Sequence, residues 1–267
     1  MMAGVSLTFW KYQGLGNDFV VVEASAPMSA RRAIRLCDRR RGIGADGVLT
    51  ILPPRHGGTA YMHIYNSDGS VAAMCGNGIR CVARHLAERR GIDGALAVET
   101  DAGTKRCIVH RGPSGAIEAV SVEMGPARYL GEEVFAVGGE RLAGHRVSMG
   151  NPHAVFFADA PRERATALGP LVERSVPGGV NAGFAVARDG GLDLAVWERG
   201  AGLTDACGTG ACAAAVAAVK TGLLVAGAQI EVRLPGGPLQ ITVASDLAHV
   251  LMRGPAELSF EGTTDLQ

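Results

Sequence analysis

Apolar residues fall along this chain in short runs bounded by Gly, Pro, Asp or Asn, the pattern of strands closed by turns. FVVVE from Phe19, VLTIL from Val48, YMHIYN from Tyr61, VSVEM from Val120, HRVSM from His145, AVFF from Ala154, FAVA from Phe184, LDLAVWE from Leu192, IEVRL from Ile230, LQITV from Leu239 and HVLM from His249 are predicted strands. They do not alternate regularly with helices, which disfavours a doubly wound parallel sheet. Four helices are predicted. Ser29 caps one that runs to Arg41, and a second spans Arg162 to Arg174 with an interruption near Gly169 and Pro170. A third runs from Asn77 to Arg90 and stops at Gly91, with an apolar stripe of Val82, Ala83, Leu86 and Ala87. The fourth, Thr209 to Thr221, is apolar all round, as expected of a helix buried inside a shell of strands.

The last two helices open alike, with Cys75-Gly76-Asn77-Gly78 before one and Cys207-Gly208-Thr209-Gly210 before the other, an offset of 207 − 75 = 132. Asn17 and Asn151 differ by 134, as do Gly103 and Gly237. Three pairs at nearly one spacing point to a tandem duplication. The expected domains are 1–135, carrying Cys75, and 136–267, carrying Cys207, with the boundary in the Gly-rich and weakly patterned stretch Gly131 to Gly144.

Composition narrows the class. Among 267 residues, 26 Lys and Arg balance 26 Asp and Glu, so no net field steers nucleic acid or an anionic membrane, and neither is an expected partner. The opening MMAGVSLTFWKYQG has no basic n-region and too brief an apolar stretch for a signal, and the apolar run Ala211 to Val219 is far short of a bilayer span. A cytoplasmic protein with reduced thiols is therefore the expectation for the six cysteines. Gly is abundant at 38 residues, which suits many turns or backbone brought close to a ligand.

Each CGxG element lets the backbone turn sharply into a helix and leaves its first N–H groups free to face an anion such as a carboxylate. A Cys there feels the positive end of the helix, which favours thiolate. Two such elements facing one carbon suit inversion of a stereocentre: one thiolate removes a proton from one face and the other thiol returns one to the opposite face. No cofactor is required if amides stabilise the carbanion. Zinc is disfavoured by the C-x5-C and C-x4-C spacings, and no metal is expected. A redox dithiol would more often use C-x-x-C, and a Cys-His nucleophile pairing either sulfur with His153 leaves the second sulfur unexplained.

The segments KYQGLGNDFVVVE, RRGIGADGVL, YNSDGSVAAMCGNGIRCVARHL, VSMGNPHAVFF, VNAGFA and WERGAGLTDACGTGACAAAVAA resemble diaminopimelate epimerase, in that family's order and across nearly the whole chain. The resemblance implies an α+β fold of two pseudosymmetric halves, each a mainly antiparallel strand barrel wrapped around a central helix. It implies a cofactor-independent epimerase that interconverts LL-2,6-diaminopimelate and the meso form. By position, Cys75 and Cys207 are then the two bases, with His153 and Glu198 assisting. Gly76, Asn77, Gly208 and Thr209 supply the helix-start contacts, and Asn17, Asn66, Asn151, Asn181, Glu198 and Arg199 contact a small zwitterionic substrate. A homodimer is also implied. Read singly, Asn17 and Asn66 are equally compatible with turn residues, His153 with a loop histidine and Glu198-Arg199 with a strand end. Gly47 departs from the Gln that several members carry against substrate, and Phe260 stands where some members place an aromatic at a dimer interface. The last residues, GTTDLQ, look like a frayed tail.

Overall fold

The computed structural model describes residues 6–266, which contain eighteen strands and four helices. In chain order they are β1 (Leu7–Gly14), β2 (Asn17–Glu23), α1 (Ala30–Cys37), β3 (Gly47–Leu52), β4 (Ala60–Asn66), β5 (Val71–Ala72), α2 (Gly76–Arg90), β6 (Ala95–Glu99), β7 (Lys105–Arg111), β8 (Ile117–Gly125) and β9 (Arg128–Val137). The same series then repeats as β10 (Glu140–Ser148), β11 (Pro152–Phe157), α3 (Pro161–Ser175), β12 (Asn181–Arg188), β13 (Gly191–Glu198), β14 (Gly202–Thr204), α4 (Gly208–Lys220), β15 (Gln229–Leu234), β16 (Gly237–Val243), β17 (Val250–Gly254) and β18 (Glu257–Thr264).

The pairings repeat as well. β2 lies parallel to β3 as β11 does to β12, β3 antiparallel to β4 as β12 to β13, and β4 parallel to β6 as β13 to β15. The α+β class and the internal duplication are thus present in the backbone itself. One strand of each repeat changes partner: β9 pairs with β10, and β18 pairs with β1. The compact units consequently run through Val122 together with Pro255 onward, and from Glu123 to Gly254. These bounds differ from the expected cut after residue 135, which lies inside β9. The stretch Gly131 to Gly144, read as a weak boundary, forms the β9–β10 hairpin, with Gly138 and Gly139 turning at positive φ.

In unit 1, α2 packs against β1, β2, β3, β6, β7 and β18. Ile79, Cys81, Val82, Ala83 and Leu86 are fully buried, and Gly91 ends the helix in the left-handed conformation, as its sequence predicts. In unit 2, α4 touches β9 to β13 and β15 to β17, and every residue from Ala211 to Ala218 is buried. Its alanines make this possible, because small side chains let strands approach the helix from all sides.

Three expectations change. α1 keeps its Ser29 cap but stops at Cys37 rather than Arg41, because the Asp38 carboxylate accepts from the backbone N–H of Arg40 and Arg41 and draws the chain into a turn. α3 is not interrupted: Ala165, Leu168 and Val172 bury against the Phe156–Phe184 cluster, offsetting the donor that Pro170 lacks. The tail is not frayed over Gly262–Thr264, which pair with Phe9, Thr8 and Leu7, and Leu266 O accepts from Arg32 Nε at 3.1 Å; Gln267 lies outside the described residues.

Candidate active site

Each unit carries a polar cluster on the first turn of its buried helix. In unit 1, Cys75 is the N-cap of α2, with extended backbone (φ −136°, ψ 119°), and its Sγ accepts the Gly78 N–H at 3.4 Å. This is the place that a Ser or Asp oxygen takes in most helices. Sulfur here occupies the capping position, so the sulfur atom sits beside the backbone amides of the helix start, at the positive end of the helix. Asn17, at the start of β2, turns its Oδ1 to Asn77 Nδ2 at 3.2 Å and to Cys75 Sγ at 3.9 Å.

The amide cannot point the other way. Asn17 Nδ2 donates to Asp46 Oδ2 at 2.8 Å, and an ionised carboxylate only accepts. Asp46 is held by Arg39 Nη2 at 2.8 Å, and its backbone O takes the Ser67 N–H at 3.0 Å, one residue after Asn66. Arg39 and Lys11 also grip Asp18; burial raises that carboxyl, but their hydrogen bonds and charge outweigh it and bring it to about 2. Asn66 closes the β4–β5 turn, its Nδ2 donating to Ser70 Oγ at 2.9 Å, opposite Gly47 in the β3–β4 register. A Cβ at Gly47 would meet Tyr65 O at 2.6 Å, so this backbone has no room for the Gln of the relatives.

In unit 2, Cys207 caps α4 in the same conformation (φ −125°, ψ 101°), its Sγ 3.3 Å from Gly210 N. A Cβ at Gly210 would lie 3.1 Å from that sulfur, so glycine here keeps the thiol's space open. Thr209 Oγ1 is 3.7 Å from Sγ and accepts from Asn151 Nδ2 at 3.3 Å. Asn151 Oδ1 meets His153 Nε2 at 3.1 Å. Asn181, buried, donates to Pro152 O at 2.9 Å and accepts the Arg199 N–H at 3.0 Å, tying β11 to the end of β13. Glu198 Oε1 accepts from Thr204 Oγ1 at 2.6 Å.

Electrostatics in unit 2 run against the simple dipole expectation. Burial and the neighbouring Glu198 push the Cys207 thiol well above the ordinary cysteine range, outweighing Thr209 and the Gly210 amide. Burial also raises Glu198, against the hydrogen bonds of Thr204 and Cys207. His153, 1% exposed, falls to about 3 through burial and then the charge of Arg199, so it is neutral and can orient Asn151 but carries no charge at neutral pH.

The expected residues therefore gather as two sets. Cys75, Gly76, Asn77 and Asn17 meet in unit 1, with Asn66 joined through Asp46 and Ser67. Cys207, Gly208, Thr209, Asn151, His153, Asn181, Glu198 and Arg199 meet in unit 2. Sequence reasoning missed Asp46, Arg39 and Thr204. Asp46 and Thr204 lie inside the family-like segments, where a charged or hydroxyl residue beside a named one was the available signal. Arg39 stands one residue before the segment RRGIGADGVL, and nothing local marks it. Among the described residues no helix is long and apolar enough to cross a membrane, and no group of three or more His, Cys, Asp or Glu is placed to hold a metal ion.

The family model described as diaminopimelate epimerase matches residues 9–130 and 146–259. A diaminopimelate epimerase of Synechococcus sp. (strain JA-3-3Ab) is 44% identical, the match covering 97% of this chain and 98% of the relative. One from Caulobacter vibrioides (strain NA1000 / CB15N) is also 44% identical, with 97% of each chain covered. Among solved structures, a probable proline racemase from Agrobacterium radiobacter K84 superposes with a TM-score of 0.78 at 17% identity, covering 98% of this chain and 93% of that one. A hydroxyproline epimerase from Agrobacterium vitis gives 0.76 at 16%, covering 99% and 94%. At those identities the two structures speak for the fold alone.

Proposed function

This chain belongs to the diaminopimelate epimerase family, and from that premise we propose that it interconverts LL- and meso-2,6-diaminopimelate by a two-base mechanism on Cys75 and Cys207. The observation that carries the mechanism is the matched pair of sulfur caps: two cysteines at equivalent points of a duplicated backbone, each bonded to the third amide of its helix. One sulfur, as thiolate, takes the α-proton; the other, as thiol, gives a proton to the opposite face of the carbon, and the roles exchange in the reverse direction. The helix-start amides at Gly76, Asn77, Gly208 and Thr209 receive the α-carboxylate and the charge that spreads onto it as the proton leaves. In the resting protein Cys207 is a thiol, hence a proton donor; Gly210 N–H and Thr209 favour its thiolate when the reaction runs the other way.

Diaminopimelate carries two ammonium and two carboxylate groups. The amides of Asn17, Asn66, Asn151 and Asn181 offer donors and acceptors, Glu198 meets an ammonium, and Arg199 meets a carboxylate in a two-pronged bond. His153 steadies Asn151. The protein works in the cytoplasm as a homodimer; Phe260, 49% exposed on β18 and edge-on to Phe9 at 6.1 Å, is an apolar contact for a second copy.

α-Hydrogen exchange in heavy water, run on LL-diaminopimelate, L-histidine, L-lysine and hydroxyproline, tests the reading. Exchange confined to diaminopimelate is expected; exchange with histidine or hydroxyproline and none with diaminopimelate would transfer the protein to a different racemase activity.

A further inference from the structure

We propose that Glu173, on α3, is a positioning residue that holds the Glu198-Arg199 turn in the geometry with which it grips a charged head group; the proposal rests on the epimerase reading above. Glu198 ends β13, and the chain reverses at once, with Ala201 N–H on Glu198 O at 3.1 Å and with Gly200 and Gly202 at positive φ. Arg199 is exposed on this turn, so burial of its own side chain does not fix the turn's shape. The fixing comes from α3. Glu173 Oε2 accepts the Trp197 indole N–H at 2.7 Å, and Oε1 accepts the Gly200 backbone N–H at 2.9 Å. One carboxylate thus holds the residue before Glu198 and the residue after Arg199.

α3 reaches that close because of the glycine that sequence reasoning took for a break. A Cβ at Gly169 would lie 2.4 Å from Trp197 Cβ and 2.7 Å from Cγ. Gly169 and Glu173 are four apart and share one helix face, so the same face that admits Trp197 also presents the acceptor for its indole. The chain beyond α3 completes the clamp. Gly178 O accepts from Arg199 Nη1 at 3.0 Å, and Gly179, at φ 75°, passes so near that a Cβ would sit 2.7 Å from Arg199 Cδ.

Unit 1 supplies the control. Tyr65 stands at the position of Trp197, offset by 132, and donates its hydroxyl to the neutral Met28 carbonyl at 2.9 Å. The residues after it are the uncharged Asn66 and Ser67. A charge-assisted clamp accompanies the turn that carries Glu and Arg, while a neutral bond accompanies the turn that carries neither. A guanidinium misplaced by even an ångström loses the second prong of a carboxylate bond, so the clamp acts on substrate affinity through Arg199.

The test uses Glu173→Gln, which keeps the shape but offers one acceptor oxygen to two donors, and Glu173→Leu, which offers none. In the diaminopimelate exchange assay the Gln variant should raise KM about tenfold, the Leu variant more, with kcat moving less. In an Arg199→Ala background, Glu173→Gln should add little, because both changes act through one group. Trp197 is one of two tryptophans, so with Trp10→Phe its near-UV circular dichroism reads the indole bond without turnover and should change in the Gln variant. A KM within twofold of the parent, effects that add fully to Arg199→Ala, or an unaltered Trp197 signal would each overturn the proposal. A purely structural role would lower the melting temperature and the active fraction at constant KM. Should the parent show no exchange, the epimerase reading falls, and the Trp197 signal still decides the clamp.

Discussion

The two repeats are one backbone carrying two chemistries. At matched positions Phe19 corresponds to His153, Gly47 to Asn181, Asn66 to Glu198, Ala72 to Thr204 and Asn77 to Thr209. Unit 1 surrounds its sulfur with neutral amides and puts its charges one layer back, in the Lys11, Asp18, Arg39 and Asp46 network. Unit 2 puts a carboxylate and a hydroxyl beside a sulfur that is only 3% exposed, with the neutral His153 imidazole behind them on Asn151, whereas Cys75 is partly open. Duplication preserved what a backbone can preserve, the cap and the helix axis. The side chains around the two caps differ, amides in unit 1 and a carboxylate with a hydroxyl in unit 2.

The largest effect should come from removing either sulfur. Cys75→Ala and Cys207→Ala should each lower α-proton exchange by a factor of about 10²–10⁴. Cys75→Ser should lose turnover while keeping the helix, because a hydroxyl caps well and is a weak acid; unchanged melting with lost exchange checks both halves of that statement. Tolerance of one alanine variant would break the symmetry of roles.

Alkylation sharpens the difference between the sulfurs. Iodoacetamide at pH 8, followed by mass spectrometry, should label Cys75 at least about tenfold faster than the buried Cys207 with its raised pKa. Equal rates would mean that burial does not separate the two sulfurs in solution.

A methyl group measures the caps. Gly210→Ala forces a Cβ against Cys207 Sγ and against Val196 Cγ2 at 3.0 Å, whereas the same change at Gly78 meets chiefly the flexible ends of Leu49 at 3.1 and 3.2 Å. The exchange rate of Gly210→Ala should fall about tenfold, and Gly78→Ala should cost less.

The smallest expected effect is on stability against pH. His153 has a folded pKa of about 3 and an unfolded value near 6.5, so below pH 6.5 the unfolded chain takes up a proton that the folded chain refuses. Stability is therefore lost as pH falls from 6.5 toward 3, and His153→Phe, which installs the residue found at position 19, should flatten that limb by on the order of 5 °C between pH 7 and 5. The alkaline limb has the opposite sign. Burial raises Cys81 and Cys107 to about 12, so the folded state keeps protons that the unfolded state releases above about 8.5, and melting temperatures should decline from there upward.

Much of this molecule is legible along the chain. The helix stop at Gly91, the buried alanine helix, the Ser29 cap and the repeated CGxG follow from local rules, since a left-handed C-cap, an all-apolar face and a cap side chain are properties of a few neighbouring residues. The strands β1, β5, β6, β7, β9, β14 and β18 are not among the predicted runs. Most of them are short or carry an exposed face of Lys, Arg, Glu and Thr, so their apolar signal is thin until a partner strand pairs with them.

The sequence by itself determined that two equivalent helix starts exist, each headed by a cysteine and opened by glycine, because cap, turn and period are encoded within a dozen residues. Only the tertiary structure decided that β9 and β18 pair with the first strands of the opposite repeats, that α3 runs unbroken to bring Glu173 onto the Glu198-Arg199 turn, and that burial and Glu198 push the Cys207 thiol up. Strand partners, close approach and desolvation depend on residues scores of positions apart, and no local pattern carries them.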